Sequence, residues 1–480
     1  MDCLTCSRNS HCELLQLAGD LGIDAVRYAN DNMPPQIEAS APHLVRDNSK
    51  CVLCRRCTAV CRKTQEVGVI GPNDRGFHTH IGCAFDRDLS EVDCVSCGQC
   101  IVACPTGALS EKDDTARVLA ALNDPAKHVV VGPAPSIRVT LGECFGLPIG
   151  TNVEGKMVTA LRRLGFDKVF DVDTAADFTI LEEGTEFLSR LNGGGTLPLI
   201  TSCSPGWVTY LEKHHPELID HLSTAKSPQA MFGAVAKTYY AQKMGWDPHD
   251  VVSVSVMPCT AKKYEASRPE LGRDGYQDVD YVLTTRELAK LIRYVGLDLS
   301  VLPESEFDSP LGTGSGAGAI FGATGGVMEA ALRTAYFTLK GENPPADAFK
   351  AVRSGGFQEN AGVQEAEFAI GDIRLRIAAV SGLGNTRRLL QQIEHGEVHY
   401  DFVEVMACPG GCVGGGGQPI HDGEELAFTR GRKLYALDAK AKLRYSHENP
   451  DIREIYSDFF GKPMSHKAHM LLHTEHWKNN

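Results

Sequence analysis

The sequence EVMACPGGCVGGGGQP, residues 404–419, is the stretch around which the rest of the chain is organised. It sets Cys408 and Cys412 on a glycine-rich turn, with three residues between them. Two thiolates at this spacing can hold one metal cluster, and glycines without a Cβ let backbone approach a bulky inorganic group. The apolar run 402–405 predicts a buried strand, and ligands of open α/β sheets bind where such strands end. The alternative is a surface loop with two spare thiols.

Composition describes an ordinary globular protein of two or three domains. The chain has 480 residues, 42% of them hydrophobic and 23% charged, with a net charge of −13. The negative charge argues against nucleic-acid binding. We find no run of 18 apolar residues and no signal peptide, so we expect a cytoplasmic protein without membrane contact.

Cysteine is the unusual component, with 17 residues. All but Cys83 and Cys144 fall at metal-ligand intervals, and we expect those two to be buried small hydrophobic residues. Cys3, Cys6 and Cys12 form CxxCx5C, which offers three ligands where a cubane needs four. An iron-sulfur cluster, a zinc site and an empty thiol site all remain open for this segment.

Two copies of CxxCxxCxxxC follow, the second closed by Pro105. In bacterial ferredoxins with this spacing, the fourth cysteine of each run binds the other cluster. The sequence therefore predicts two 4Fe-4S clusters, one on Cys51, Cys54, Cys57 and Cys104, the other on Cys94, Cys97, Cys100 and Cys61. Two neighbouring clusters indicate transfer of single electrons.

The rest of the chain alternates predicted strands and helices. Strands at 197–200 and 251–256 each run into a cysteine, Cys203 and Cys259, as strand 402–405 does. We expect these three strand ends to meet in one crevice holding four thiols. The fold class is α/β (α+β overall), a ferredoxin-like two-cluster domain followed by a two-lobed α/β domain. The predicted boundaries are 1–24 for the N-terminal cysteine segment, 25–45 for a linker, 46–114 for the ferredoxin-like domain and 115–480 for the catalytic domain.

Two further stretches allow more than one interpretation. Residues 312–326 are glycine-rich but lack the Gly-Lys-Ser/Thr of a phosphate loop, so we expect backbone packed over the crevice, with a nucleotide role as the alternative. Residues 464–476 are rich in histidine and could bind metal. We favour a C-terminal helix that packs Ala468, Leu471 and Leu472, with its histidines facing water.

Together these motifs resemble the iron-only, or FeFe, hydrogenases over nearly the whole chain. The family signatures TSCCPxW, MPCxxKxxE and ExMACxxGCxxGGGQP stand here as TSCSPGW (201–207), MPCTAKKYE (257–265) and the stretch 404–419. The resemblance implies reversible reduction of protons to H2 at an H-cluster. That cofactor is a 4Fe-4S cubane joined through one cysteine to a diiron unit with CO, cyanide and azadithiolate.

The resemblance also implies a role for individual residues. Cys412 would bridge the two parts of the H-cluster, Cys259 and Cys408 would hold the cubane, and Lys262 would donate to a cyanide. The implied lining of the diiron pocket is Pro135, Ser136, Gln229, Met257 and Met406. The implied proton path uses Glu183, Glu186 and Ser223.

One departure concerns the first signature, where the family has two cysteines and this chain has Cys203 followed by Ser204. Strict alignment gives Cys203 the proton-relay role and leaves Ser204 to bind iron. Ligand count instead favours Cys203 on the cubane, because a serine hydroxyl is a poor substitute for a thiolate. Ser204 would then be a weaker proton carrier.

Partners and rival functions follow from the same motifs. Electrons would come from ferredoxin or from a partner subunit, and maturation proteins would deliver the diiron unit. A slow sensory hydrogenase is one alternative, because of Ser204. An iron-sulfur assembly or scaffold protein is the other, and it would keep cubane cysteines without a diiron pocket.

Overall fold

Small sheets and short helices carry the cysteines of the N-terminal quarter. The computed structural model describes residues 3, 6, 8–9, 12–25, 36–353 and 362–477. The elements of this region are α1 Glu13–Asp20, β1 Ile37–Glu38, β2 Leu44–Asp47, α2 Arg56–Ala59, β3 Gly71–Asn73, β4 His80–Gly82, α3 Gln99–Val102 and β5 Leu109–Glu111. Strands β1, β2 and β5 form an antiparallel sheet, and β3 pairs with β4. The sheet begins at Ile37, inside the span predicted as a linker.

Two four-stranded sheets form the two lobes of the remainder. Their strands and a small hairpin are β6 His128–Pro133, β7 Lys168–Val169, β8 Leu199–Ile200, β9 Val251–Met257, β10 Gly272–Arg273, β11 Tyr276–Gln277, β12 Tyr281–Thr284, β13 Val363–Ile370, β14 Ile373–Ser381 and β15 Phe402–Met406. The first sheet has the order β12-β9-β6-β7 and is parallel throughout. The second has the order β13-β14-β15-β8, with only β13 antiparallel. The predicted two-lobed α/β architecture is confirmed.

Helices cover both sheets. They are α4 Thr115–Leu122, α5 Ile137–Thr140, α6 Glu154–Leu164, α7 Val172–Ser189, α8 Pro205–His214, α9 Pro228–Val235, α10 Ala241–Met244, α11 Ala261–Ala266, α12 Thr285–Tyr294, α13 Gly316–Ala319, α14 Gly326–Lys340, α15 Leu383–Glu394, α16 Ala427–Lys440, α17 Pro450–Ile455 and α18 His466–Leu472. Helix α7 lies at the centre, packed against α9, α13 and α14. Almost all of its residues are buried, including its carboxylates.

Local sequence explains where several of these elements begin and end. Helix α6 ends at Gly165, whose φ of +104° suits glycine. The segment 168–172 predicts a strand, but only Lys168–Val169 form one, because the Asp171 side chain accepts from Asp173 N and caps the start of α7. The predicted strand 197–200 is formed only by its last two residues.

The glycine-rich stretch 312–326 packs closely, as expected. A Cβ on Gly318 would lie 3.0 Å from the Cβ of Asp173 on α7. A Cβ on Gly411, in the turn that carries Cys412, would lie 2.7 Å from Thr324 N. The backbone of residues 312–326 therefore packs on the turn that carries Cys412. This close packing explains why the stretch contains so many glycines.

None of the helices in the described ranges is both long enough and apolar enough to span a bilayer.

Candidate metal centre

The three strand ends meet in a crevice between the lobes. Lys262 Nζ, just after β9, donates to the carbonyl oxygen of Cys203, after β8, at 3.2 Å. The Cys408 thiol, after β15, donates to the sulfur of Cys259, which lowers the pKa of Cys259 and raises that of Cys408. Burial raises the pKa of the Cys412 thiol to about 12, and the nearby Cys259 adds to the effect. The predicted convergence of four thiols on one crevice is thus present in the structure.

Glycines 414–417 form a cradle against two other loops. Gly417 N donates to the Pro258 carbonyl at 2.8 Å. A Cβ on Gly416 would lie 2.7 Å from the Cα of Gly98, beside Cys97 in the ferredoxin-like segment. The Cys408 sulfur lies 4.0 Å from the Cys97 carbonyl oxygen. Side chains in the glycine run would push the crevice and the ferredoxin-like segment apart.

Lys262 is held by charge and hydrogen bonds. It is buried and pairs with Glu265 one turn later on α11, at 3.0 Å. Glu265 also accepts from Ser227 Oγ at 2.9 Å and from Gln229 Nε2 at 3.0 Å. Ser255 Oγ donates to the Gln229 carbonyl oxygen, so the orientation of this amide is set. Glu265 was not among the predicted site residues, although its spacing from Lys262 predicts a pair on one face of a helix.

The other residues expected around the diiron unit stand at or just beyond the carboxyl ends of strands. Pro135 and Ser136 follow β6, while Met257 and Met406 are the last residues of β9 and β15. Gln418, absent from the predicted set, donates to Ser136 Oγ at 3.1 Å and to the Cys412 carbonyl at 3.2 Å.

Cys203 and Ser204 face different neighbours. Burial raises the pKa of the Cys203 thiol well above its ordinary value, and the charges of Glu183 and Cys412 raise it further. Ser204 Oγ instead accepts from Ala407 N at 3.1 Å, next to Cys408.

The expected proton path lies along α7. Within the described ranges neither oxygen of Glu183 makes a hydrogen bond of normal geometry, although the Ser223 hydroxyl and the Ser202 backbone lie near enough to oppose the effect of burial on its pKa. Burial raises its pKa to about 8, and the charge of Glu186 contributes. Ser223 Oγ donates to Glu186 Oε2 at 2.9 Å, and Arg190 Nη2 donates to Glu186 Oε1 at 2.6 Å. The structure thus brings the three predicted residues together and adds Arg190.

Glu404 is a further buried acid that the sequence analysis did not single out. Its oxygens accept from the backbone nitrogens of Gly325 and Met328, each at 2.7 Å. Burial raises its pKa to about 7. It lies close enough to Cys203 and Cys412 for its charge to raise the pKa of both thiols.

Two cavities in the ferredoxin-like segment collect the remaining cysteines. One, of about 520 Å³, is lined by Cys61, Cys94, Cys97 and Cys100. The other, of about 370 Å³, is lined by Cys51, Cys54, Cys57 and Cys104. Each cavity takes three cysteines from one run and the fourth from the other run, which is the exchange that the spacing predicts. Cys83 is fully buried, as expected, whereas Cys144 is only partly so.

Two basic side chains border these cavities and were not predicted. His43 is buried with Nδ1 3.1 Å from Ser96 Oγ and Nε2 3.6 Å from the Cys94 sulfur. Arg46 is buried and lines both cavities. Nitrogen donors beside cluster sulfurs tune an iron-sulfur site.

The N-terminal cysteines lie in a segment whose described residues form two ion pairs with the rest of the chain. Arg8 pairs with Asp422 at 2.6 Å, and both oxygens of Glu13 accept from Arg56. Cys3, Cys6 and Cys12 are each partly exposed. His11, the residue before Cys12, lies outside the described residues. The structure therefore adds nothing to the three cysteine ligands that the sequence offers in this segment.

The donor set fits iron-sulfur chemistry. Soft thiols in groups of four line the two cavities, and three thiols with Ser204 or Cys203 surround the crevice. The glycine cradle lets the backbone approach a bulky inorganic cofactor without a Cβ in the way, and Lys262 places a buried ammonium beside that cradle. These residues therefore fit two 4Fe-4S clusters and an H-cluster.

Family comparison agrees with this geometry. Residues 127–416 match the model of the iron only hydrogenase large subunit, C-terminal domain. The chain belongs to the iron-only hydrogenase family. Residues 89–110 match a 4Fe-4S binding domain, and residues 424–479 match the iron hydrogenase small subunit. The sequence analysis had not separated that last segment from the catalytic domain.

Known relatives support the family and the enzyme class. The NADP-reducing hydrogenase subunit HndD of Solidesulfovibrio fructosivorans is 50% identical, over 99% of this chain and 82% of its own length. Iron hydrogenase 1 of Clostridium pasteurianum is 42% identical, over 99% and 83%. This iron-only hydrogenase is thus an iron-sulfur oxidoreductase.

A solved structure and a non-hydrogenase relative complete the comparison. The apo form of the FeFe-hydrogenase HydA1 from Chlamydomonas reinhardtii, as a variant, has a TM-score of 0.68 at 42% identity, over 76% of this chain and 99% of that one. Cytosolic iron-sulfur assembly component 3 of Bos taurus is 34% identical, over 81% of this chain and 83% of its own length.

Proposed function

We propose that this hydrogenase interconverts protons and H2, 2H⁺ + 2e⁻ ⇌ H2, at an H-cluster held by Cys259, Cys408 and Cys412. The observation that carries the proposal is the position of Cys203, a partly buried thiol affected by the charges of both Cys412 and Glu183. When bound, the H-cluster supplies the metal and the bridging amine at which protons and electrons combine.

The chain's own residues would move protons inward along α7. Ser223 Oγ donates a hydrogen bond to Glu186. Glu183, with a pKa of about 8, is protonated at neutral pH. The protonated carboxyl of Glu183 can release its proton towards Cys203 and take another from the direction of Ser223. Burial serves this role because an exposed glutamate would be ionised and unable to donate.

The contacts of Ser204 favour the strict alignment over the ligand count. Its hydroxyl lies at Ala407 N, beside Cys408, where a fourth corner of the cubane is expected. Cys203 is affected by Glu183 and Cys412 instead. We therefore assign Cys203 to the proton relay and Ser204 to the cubane side, and Lys262 to a hydrogen bond with a cyanide.

Electrons would pass from the Cys51 cavity to the Cys94 cavity and then to the crevice. The 4.0 Å contact between the Cys408 sulfur and the Cys97 carbonyl oxygen supports this order, because it joins the Cys94 cavity to the crevice that would hold the cubane. The donor would be a ferredoxin or a partner subunit. Because one relative is named as a subunit of an NADP-reducing hydrogenase, a complex that reduces a nicotinamide is our preferred setting. Maturation proteins would insert the diiron unit.

The test is hydrogen production from reduced methyl viologen by protein reconstituted with iron, sulfide and a synthetic diiron unit. Infrared spectroscopy should detect CO and cyanide bands. Cys203→Ala should abolish turnover and leave the paramagnetic signal of the reduced cubane intact. Loss of that signal in Cys203→Ala would contradict the relay assignment and make Cys203 the cubane ligand.

Ser204→Cys is the matched variant. If Ser204 lies on the cubane, the substitution should strengthen cluster retention and leave the pH profile of turnover unchanged. A large acceleration would instead give Ser204 the relay role, with slow sensory chemistry in the natural protein. Absence of both turnover and infrared bands would refute the hydrogenase proposal and favour an iron-sulfur assembly role, as in the relative of that name.

A further inference from the structure

One charged side chain lies in the wall between the two cavities of the ferredoxin-like segment. Arg46, on β2, is 6% exposed and lines both the Cys94 cavity and the Cys51 cavity. Among the described residues only Leu109 also lines both, and it lies directly opposite Arg46 on β5. Opposite residues of an antiparallel pair share one face of the sheet. Arg46 and Leu109 therefore form the partition between two sets of four thiols.

The guanidinium of Arg46 has no ion-pair partner among the side chains that the structure describes. Glu38 lies opposite it on β1, but Glu38 Oε1 accepts from Ser40 N and Oγ, and Glu38 Oε2 has no hydrogen-bond partner there. Asp86 is mostly exposed and pairs with His80 at 2.7 Å. The buried Nε of Arg46 is likewise without a partner in the described ranges. A buried charge is costly unless it is paired, and an arginine cannot avoid that cost by losing its proton.

The two cavities are suited to anions that would supply the missing counter-charge. No acidic side chain is part of the described lining of either cavity. Burial raises the pKa of the Cys51 and Cys83 thiols, and the charge of Arg46 acts in the opposite direction on both. A 4Fe-4S cluster held by four thiolates carries a net negative charge, and reduction makes it more negative by one. Arg46 would therefore face an anion on each side.

We propose that Arg46 is a fixed positive charge shared by the two 4Fe-4S clusters, and that it raises the reduction potential of both. This role rests on the two clusters of the proposed function, although it does not depend on hydrogen chemistry in the crevice. A positive charge favours the reduced form of a cluster, because that form is the more negative one. Arg46 itself neither gains nor loses a proton or an electron.

Sharing is what distinguishes Arg46 from the other basic side chains of the segment. His43 lines only the Cys94 cavity, and the exposed Arg55 lines only the Cys51 cavity. A group beside one cavity changes the potential of one cluster and so changes the direction in which electrons prefer to pass. Arg46 raises both potentials together, so that the pair can hold the two electrons that formation of H2 requires.

The test is a redox titration, followed by paramagnetic resonance, of full-length protein reconstituted with iron and sulfide only. Arg46→Gln removes the charge and keeps a hydrogen-bonding side chain. We expect the midpoint potentials of two clusters to fall, each by the 59 mV or so that corresponds to about a tenfold change in a one-electron equilibrium. The midpoint of the cubane in the crevice should stay unchanged and serves as an internal reference. A shift in only one cluster, or in none, would overturn the proposal.

Two further variants separate the charge from the shape of the side chain. Arg75→Gln removes the same charge from an exposed position of the same segment, and it should leave all midpoints unchanged because water and salt screen an exposed charge. Arg46→Lys keeps a charge at the partition and should lower the two midpoints by less than half as much as Arg46→Gln. Equal shifts in Arg46→Gln and Arg46→Lys would overturn the proposal, because the charge would then have no effect.

Iron and sulfide content covers the case in which Arg46→Gln fails to retain its clusters. Retention in Arg46→Lys but not in Arg46→Gln would support the shared charge, because the anionic clusters would then need a cation between them. Loss of the clusters from both variants would overturn it, since the side chain would then be required for its shape. If both midpoints depend on Arg46 as expected but the natural protein makes no H2 with a synthetic diiron unit, the proposed function alone is contradicted.

Discussion

Glu183→Gln is the substitution whose consequence the structure determines most directly. Burial raises the pKa of Glu183 from an ordinary 4.5 to about 8, although Ser223 and the Ser202 backbone act in the opposite direction. Because one pH unit corresponds to about 1.4 kcal/mol, ionising this carboxyl in place costs up to about 5 kcal/mol. Glutamine keeps the shape and removes that cost.

The sign of the pH dependence follows from the raised pKa. Below pH 4.5 the carboxyl is neutral in the folded and the unfolded chain, so it contributes nothing to the difference between them. Between pH 4.5 and about 8 the unfolded chain ionises while Glu183 stays neutral, and the folded state loses stability. Glu183→Gln should therefore gain stability over the natural protein as pH rises, by up to about 5 kcal/mol at pH 9.

Two measurements check this expectation. Infrared difference spectra should show a protonated carboxyl band that titrates near pH 8 and is absent from Glu183→Gln. Urea unfolding at pH 5 and pH 9 should show the difference between the two proteins growing with pH. Glu425→Gln, on the exposed surface, is the control and should show no such growth. A carboxyl band that titrates below pH 6 would refute the reasoning.

Three further predictions follow from other parts of the structure. Gly416→Ala should destabilise the protein by about 1–3 kcal/mol, because its Cβ would press on the backbone of Gly98, beside the cavity lined by Cys94. Thermal unfolding measures this loss. An unchanged transition temperature would contradict the close packing. His43→Phe should lower the midpoint potential only of the cluster in the Cys94 cavity, because Cys94 loses a nitrogen neighbour 3.6 Å away. A redox titration followed by paramagnetic resonance tests this, and equal shifts in both clusters would contradict it. Arg333→Met should cost about 3–5 kcal/mol in urea unfolding, since it leaves the buried Asp438 with Arg444 as its remaining arginine partner. A loss under about 1 kcal/mol would argue that Arg444 alone suffices.

Cysteine spacing carried most of what the sequence could predict about the metal sites. The exchange of fourth cysteines between the two runs, with Cys61 in one cavity and Cys104 in the other, follows from local spacing. The strands that deliver Cys259 and Cys408 were equally visible, because buried parallel strands are continuous apolar runs. Local pattern was enough wherever the ligand and the element that carries it are neighbours in sequence.

The environment of the carboxylates could not be predicted in this way. Residues 182, 183 and 186 in LEEGTEF are typical of a solvated helix face, yet all three are buried. They are buried because α9, α13 and α14 surround α7, and these helices come from distant parts of the chain. The partner of Glu182 is His473, almost 300 residues away, so no local pattern indicates that ion pair.

Two of the acids on α7, Glu183 and Glu186, have opposite surroundings. Glu186 accepts hydrogen bonds on both oxygens, from Arg190, Ser223 and Thr224. Glu183, one turn earlier, has no arginine partner among the described residues, and burial raises its pKa to about 8, so it stays neutral at pH 7. Two neighbouring acids with opposite environments form a donor and an acceptor, and helical spacing puts them on one face.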